Sequence, residues 1–341
     1  MRFLRDIVGH RQIVRTLSNA VASGRVAHAC LFAGPAGVGK ETTALAFARA
    51  LLCSRPAGGE ACGECRECRQ VEHGNHPDLC FVQPAGASIK IEQIRAVQRL
   101  APYRSYQGGR KIFVIRNAET MTPEAANCLL KILEEPPADT CFILLSARPQ
   151  ALLPTIVSRC QQFVFKNIPA QELAGSLTAA HGLKAGEAAV SAALSGGSMG
   201  KALMCAESSF EEERNAVIGM AGKLNGGGAL EILEMAGKLS ENRERVFFVL
   251  EMLACWYRDL LIYRETGELG NVFNLDRSAV IEKEAAFFDT WRLVEAIEKI
   301  EAARRKIEYN ANVRLTVEAL FLNLSGAALT RYGGGKEEVK I

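Results

Sequence analysis

The sequence predicts an α/β domain built on a parallel sheet, followed by regions made of helices alone. Three observations predict it. Five short apolar runs recur in the first half without the polar alternation of a half-exposed strand, and stretches of helical spacing separate them. A glycine-rich loop joins the first of these runs to a helix. Beyond about residue 169 the strand runs stop and only helical patterns continue. With 341 residues the chain has the length of two or three domains.

Taken in order, residues 10–26 carry Ile13, Leu17, Ala20 and Val21 at helical spacing, and Gly24 is placed to end that helix. Residues 29–32 form the first strand, which runs into Gly34, and residues 42–53 a second helix. Strands are expected over 79–82, 111–115, 141–145 and 162–165, with a helix over 89–100. Thr122-Pro123-Glu124 opens another helix, with proline in the first turn where its missing N–H costs nothing. That helix ends at Glu134-Glu135-Pro136-Pro137. Helices over 169–180, 185–194 and 199–206 would make a small helical domain, and a longer helical region follows over 210–329, broken at Gly226-Gly227-Gly228. The expected domains are 1–167, 168–207 and 208–333, with a cysteine module at about 53–80 and a flexible tail over 334–341.

Composition narrows the class. Hydrophobic residues at 48% and charged residues at 23% are those of a folded globular chain and exclude an intrinsically disordered one. A net charge of +3 neither requires nucleic acid nor excludes it, because patches decide more than sums. The segment Met1-Arg2-Phe3-Leu4-Arg5-Asp6 has charges where an export signal needs an apolar run. The most apolar stretch, 246–263, is interrupted by Glu251, Arg258 and Asp259 and reads as a buried amphipathic helix, not as a span of ~20 apolar residues. The expectation is a cytoplasmic protein with no membrane partner.

Gly34-Pro35-Ala36-Gly37-Val38-Gly39-Lys40 follows a strand and opens a helix, the context of a phosphate-binding P-loop. Gly34, Gly37 and Gly39 let backbone N–H groups curl round phosphate oxygens, the helix N-terminus favours negative charge, and Lys40 reaches the terminal phosphates. A glycine-rich turn without a ligand is the alternative, and the strand–helix context weighs against it. The next position normally carries a Ser or Thr hydroxyl that holds magnesium, and here it is Glu41, with Thr42 and Thr43 close by. A second magnesium contact is expected from an acidic residue after a later strand. Arg116-Asn117 follow the best candidate, residues 111–115, and Glu119 is out of place for it. ATP or ADP binding remains expected, without efficient hydrolysis.

Eleven cysteines without an export signal suggest metal ligands plus buried thiols rather than disulfides. Cys30, Cys128, Cys141, Cys160 and Cys255 lie in apolar or helical runs and read as small core residues. Cys53, Cys62, Cys65 and Cys68 are different: four thiolates close in sequence suit a structural tetrahedral zinc. An iron–sulfur cluster uses similar spacing, but its run normally ends in Cys-Pro, which is absent here. A thioredoxin-like pair fits three overlapping cysteines poorly. His73 and His76 are possible further ligands, read as surface or turn residues.

Several motifs together resemble a known family over nearly the whole chain. They are Asp6-Ile7-Val8-Gly9-His10, then His28 to Gly34, the cysteine module ending in His76-Pro77-Asp78, and Glu124-Ala125-Ala126-Asn127-Cys128-Leu129-Leu130-Lys131 with Leu133-Glu134-Glu135-Pro136-Pro137. Ser158-Arg159-Cys160 completes the set. They look like the subunits of bacterial clamp loaders, the assemblies of the DNA polymerase III holoenzyme that place sliding clamps on primed DNA. The resemblance implies an α/β P-loop (AAA+) domain with a zinc module insertion, a small helical lid and an all-α collar that oligomerises. It also implies that Val8 and Lys201 lie at the nucleotide, although motor subunits usually carry arginine where this chain has Lys201. Arg159 would act in trans on a neighbouring motor subunit's ATP site. Partners would be motor and delta subunits in a hetero-oligomeric ring, with clamp and DNA reached through the assembly.

The departures at Glu41, Arg116-Asn117 and Lys201 favour a non-hydrolysing subunit over an ATP-hydrolysing motor of the same loader. An unrelated zinc-containing nucleic-acid-binding protein explains neither the P-loop nor the helical C-terminal third. Arg304-Arg305-Lys306-Ile307 and Asn310 to Leu315 resemble the last collar helices of the family. That basic run is read as a solvated face rather than a DNA contact.

Overall fold

The computed structural model describes residues 3–107, 109–206, 208–270 and 272–325. The tail expected over 334–341 lies outside them. The chain forms two compact units, Met1–Leu203 and Met204–Ile341.

The first unit is organised by a five-stranded parallel sheet of order β2-β3-β4-β1-β5. Its strands are β1 (Ala29–Ala33), β2 (Leu79–Val82), β3 (Lys111–Ile115), β4 (Thr140–Ser146) and β5 (Gln161–Val164). Every residue of β1, β3 and β4 is buried, because these strands are covered on both faces, and that is why the sequence shows no alternation there. The edge strand β5 buries only Phe163. Ala29 pairs with Phe142 on one side, and Cys30 pairs with Gln161 on the other.

Successive side chains point to opposite faces and make two cores. Cys30, Phe32, Ile112, Val114, Cys141, Ile143 and Leu145 face one layer with Leu17, Phe47, Cys68 and Val71. These come from α1 (Arg11–Ser23), α2 (Lys40–Leu52) and α3 (Arg66–Glu72). Leu31, Phe113, Ile115, Phe142 and Leu144 face the other layer with Ile94, Val97, Leu129 and Ile156. That layer is α4 (Ile91–Leu100), α5 (Pro123–Glu134) and α6 (Pro154–Val157). Gly24 ends α1 in the left-handed conformation at φ 68°, and the Thr122 hydroxyl caps α5 by accepting from Ala125 N at 3.3 Å.

Helices α7 (Ala170–His181), α8 (Ala185–Leu194) and α9 (Met199–Cys205) follow β5. Ile168, Leu173, Leu177, Ala188, Ala192, Met199 and Ala202 form a separate small core among them. Helix α3 is a departure from the sequence reading, which gave no helix within the cysteine module. Its Cys68 and Val71 are buried because the segment borrows the core of the sheet.

The second unit contains α10 (Ser208–Gly226), α11 (Ala229–Leu239), α12 (Arg243–Thr266), α13 (Ser278–Ala285), α14 (Thr290–Glu308) and α15 (Val313–Ser325). Helix α12 packs on α14 and α13, and α15 packs on α11 and α10. Trp256 and Tyr257 of α12 are buried. Asp259 is buried too, and it accepts from Phe273 N and Asn274 N, each at 2.8 Å, and from Asn274 Nδ2 at 2.7 Å. Burial raises its pKa, with those three donors acting against the shift. The apolar run of the sequence is thus an internal helix whose one buried acid ties down the following loop. No helix among the described residues is long and apolar enough to cross a membrane.

Candidate nucleotide pocket and metal centre

The loop after β1 and the first turn of α2 form one wall of a cavity of about 460 Å³. Gly37, Val38, Gly39, Lys40, Glu41 and Thr42 line it, together with Arg116 and Asn117 from the end of β3. Ile7, Val8, Ile168, Met199 and Leu203 supply apolar lining. Such a cavity, with apolar lining and a few polar groups, is the usual form of a small-ligand site.

Two glycines are required by the packing. A Cβ on Gly34, at φ 150°, would lie 2.2 Å from the Phe165 carbonyl oxygen. A Cβ on Gly37, at φ 75°, would lie 2.2 Å from Ser198 Oγ. The loop is further tied by Gly200 N, which donates to Gly37 O at 3.1 Å. His10 is buried and donates from Nε2 to Val38 O at 3.0 Å, with its ring edge-on to Phe165 at 4.7 Å. Burial lowers the pKa of His10, which keeps the ring neutral.

Lys40 is folded onto its own loop. Its Nζ donates to Gly34 O at 2.5 Å and to Pro35 O at 2.6 Å. Burial lowers its pKa, and the nearby Glu119 carboxylate acts against that shift. Glu119 Oε1 accepts from Ala147 N at 3.1 Å, which fixes it beside the pocket.

The two residues that break the magnesium pattern meet each other. Arg116 Nη2 donates to Glu41 Oε1 at 2.5 Å, and Arg116 Nη1 donates to Gln83 Oε1 at 2.9 Å. The guanidinium also lies over the Phe81 ring, 4.7 Å from its centroid. Along the sequence, Glu41 is a carboxylate where a magnesium-holding hydroxyl is expected. Folded, its charge is balanced by a guanidinium from the end of β3.

Four thiols converge at the far end of α2. The Sγ atoms of Cys53, Cys62, Cys65 and Cys68 all lie within 4.8 Å of one another, and Cys53 Sγ is 3.9 Å from Cys65 Sγ. Tetrahedral zinc with sulfur at ~2.3 Å spaces its ligands at ~3.8 Å. The sulfurs also receive backbone donors: Arg55 N and Cys62 N on Cys53, Cys65 N on Cys62, and Cys68 N on Cys65, all at 3.3–3.4 Å. These donors favour thiolate, and at Cys62 the backbone donors Glu64 N and then Cys65 N lower the pKa to about 6. Burial raises Cys68 to about 12. The donor set fits a metal held by sulfur alone. His73 is exposed, whereas His76 is buried and its Nδ1 accepts from Asp78 N at 3.1 Å. The group of candidate ligands among the described residues contains neither histidine.

The module also touches the strap that leads to the pocket. Glu60 accepts from Leu4 N at 3.1 Å and Arg5 N at 3.0 Å, just before Ile7 and Val8. Buried Arg49 of α2 donates to Gly63 O at 3.3 Å and Glu72 Oε2 at 3.0 Å, clasping the module from the helix side.

Of the sequence candidates, Val8, Gly37, Gly39, Lys40 and Thr42 line the cavity. Gly34 holds Lys40 through its carbonyl without lining the cavity itself. Lys201 is half-buried beside the lining residue Gly200, and its backbone N donates to Ser198 Oγ at 3.3 Å. Arg159 is outside the cavity. Its Nη2 pairs with Glu134 Oε1 at 2.8 Å, its Nη1 donates to Thr155 O at 3.0 Å, and its side chain is 36% exposed. The Arg116–Glu41 pair, the Glu60 link and the apolar wall were missed. No local pattern signals them, since each joins residues remote in sequence.

Residues 9–169 match the family described as "DNA polymerase III, delta subunit", and residues 210–326 match "DNA polymerase III, delta subunit, C terminal". The chain is 44% identical over 155 residues to DNA polymerase III subunit delta' of Bacillus subtilis, covering 46% of this chain and 47% of that protein. It is 46% identical over 138 residues to subunit delta' of Pseudomonas aeruginosa, covering 40% and 42%. DNA polymerase III subunit tau of Escherichia coli is 30% identical over 293 residues, 78% of this chain and 45% of that protein. These matches span about half the length of the curated relatives or less.

Proposed function

We propose a role for this chain from its family, since it belongs to the delta-prime subunits of the bacterial DNA polymerase III clamp loader. It serves as the non-hydrolysing subunit of the loader and supplies Arg159 in trans to the ATP site of a neighbouring motor subunit. Motor and delta subunits are its partners, and it meets the sliding clamp and primed DNA through the assembly. The observation that carries this reading is the setting of Arg159. It stands outside the chain's own cavity, and Glu134 and the Thr155 carbonyl hold it in a fixed direction with its side chain open to solvent. A guanidinium so presented stabilises charge on a transferring phosphoryl group. Arginine fingers of this kind are worth ~10³–10⁵ in rate.

Hydrolysis in this chain's own pocket lacks both side chains that would hold magnesium, and Arg116 and Glu41 instead neutralise each other. Cys53, Cys62, Cys65 and Cys68 hold a structural zinc, which keeps the module on the end of α2. The zinc supplies no chemistry at the nucleotide. Val8, Gly34, Gly37, Gly39, Lys40, Thr42 and Lys201 form or border the site for ATP or ADP, bound without turnover. The unit boundary at Leu203 groups the small helices with the sheet, and the helices after it form the collar.

The match to a tau subunit over 78% of this chain supports a second reading, an ATP-hydrolysing motor. Clamp- and DNA-stimulated ATP turnover by a reconstituted loader separates the two. Arg159→Ala is expected to lower turnover at least ~10³-fold at the site it serves, and Lys40→Ala to leave total turnover unchanged. A proportionate loss from Lys40→Ala, with hydrolysis by the isolated chain, would establish the motor instead.

A further inference from the structure

The ion pair at the mouth of α2 bears on which form of nucleotide the pocket accepts. In a hydrolysing P-loop site a hydroxyl after the lysine and an acidic residue after a neighbouring strand converge on magnesium. Here those two places hold Glu41 and Arg116, both of which line the cavity. Arg116 is not a loose surface cation. Its backbone N donates to Val82 O at 2.8 Å, its Nη1 to Gln83 at 2.9 Å and its Nη2 to Glu41 at 2.5 Å, and its guanidinium lies 4.7 Å from the Phe81 ring centroid. Contacts from α2, from β2 and from the segment after β2 therefore fix a guanidinium, ion-paired to Glu41, at the chain position that carries the acidic magnesium ligand in a hydrolysing site.

Magnesium needs oxygen ligands in octahedral array. Of the two carboxylates near the phosphate loop, Glu41 is engaged by Arg116 and Glu119 accepts from Ala147 N, and the guanidinium repels a second cation. A phosphate oxygen that takes the place of Glu41 on the same guanidinium meets donors in a planar fork. Lys40 also lines the cavity and is released for phosphate once its two carbonyl contacts are given up.

We propose that this pocket takes a nucleoside di- or triphosphate without its divalent cation, and that Arg116 supplies the charge that magnesium supplies in a hydrolysing relative. The pocket then discriminates against the magnesium complex. The proposal rests on the non-hydrolysing reading above and extends it to the form of ligand bound.

The test is calorimetric titration of the purified full chain with ATP and with ADP, once in EDTA and once in excess magnesium. The expected result is binding about tenfold tighter in EDTA, the scale of one charge-assisted hydrogen bond. Arg116→Gln is expected to remove that preference, and Arg116→Lys to keep most of it. The double variant Glu41→Thr with Arg116→Asp restores both metal contacts and is expected to invert the preference. Melting curves of each variant establish that it is folded. Tighter binding with magnesium in the wild-type chain overturns the proposal, and so does the absence of binding in both conditions. Because the titration uses the isolated chain, its failure leaves the in-trans role of Arg159 untouched. Loader turnover that ignored Arg159→Ala would likewise leave the binding result standing.

Discussion

The cysteine module and the candidate nucleotide pocket stand at opposite ends of one helix, α2, and the sequence encodes them in different ways. The module draws its four thiols from residues 53–68, and those thiols meet within 4.8 Å of one another. The pocket draws its lining from Ile7 to Leu203, across strands, loops and a small helical core. A site closed within one short segment is fixed by spacing, because few conformations join its ligands. A dispersed site depends on the sheet bringing its parts together. The two are nevertheless coupled, since Glu60 of the module holds the backbone of Leu4 and Arg5 that leads into the pocket wall.

Metal removal is the strongest way to separate them. Zinc analysis is expected to find a single metal per chain, with no visible absorption of an iron–sulfur cluster, and Cys68→Ser to abolish it. On the order of 10 kcal/mol of metal binding is coupled to folding in structural zinc sites, so residues 53–72 become open to limited proteolysis while the sheet persists. Unchanged proteolysis after metal removal would mean that core packing alone holds the module. Acidification is expected to release the metal as well, because its ligands must be thiolates.

A smaller effect is expected at the other end of the helix. Gly34→Ala places a Cβ 2.2 Å from a backbone oxygen of Phe165, which cannot turn away. A cost of about 3 kcal/mol follows, readable by denaturant unfolding. Gly37→Ala meets the Ser198 hydroxyl instead, and its rotation makes that cost lower. Equal losses at the two positions would show that positive φ, not the contact, sets the requirement.

The coupling itself is tested by Glu60→Ala, which strips an acceptor from two backbone donors. Roughly 1–2 kcal/mol of stability should go, together with a weaker nucleotide affinity and retained metal. Unaltered affinity would uncouple the two regions.

The smallest effect concerns pH. His10 joins the strap to the P-loop through Val38 O, and burial lowers its pKa from 6.5. Below about 6.5 the unfolded chain binds a proton that the folded chain resists, so this contribution to stability is complete above that value and declines as pH falls. His10→Gln should flatten that acid limb in melting curves recorded from pH 7 to pH 5. His76, also lowered by burial, contributes with the same sign and remains in the variant.

The strands were legible because buried parallel strands are written as uninterrupted apolar runs, and the P-loop because its glycines and lysine are contiguous. Helix boundaries moved by a residue or two, as at α2, where Lys40 rather than Thr42 begins the helix. Helix α3 was not legible, since its short apolar face of Cys68 and Val71 is stabilised by a core built elsewhere.

By itself the sequence determined the parallel α/β class, the glycine-rich strand–helix loop, the four-thiol set and the residues Glu41 and Arg116 where magnesium side chains are expected, all of which are local in spacing or in residue type. Only the tertiary structure decided that Glu41 is balanced by Arg116, that Arg159 is held by Glu134 away from its own pocket, and that the module supports the strap. The reason is physical. Charge pairs and wall contacts between residues tens of positions apart have no signature in either partner's neighbourhood, and they exist only once the sheet fixes the distance between them.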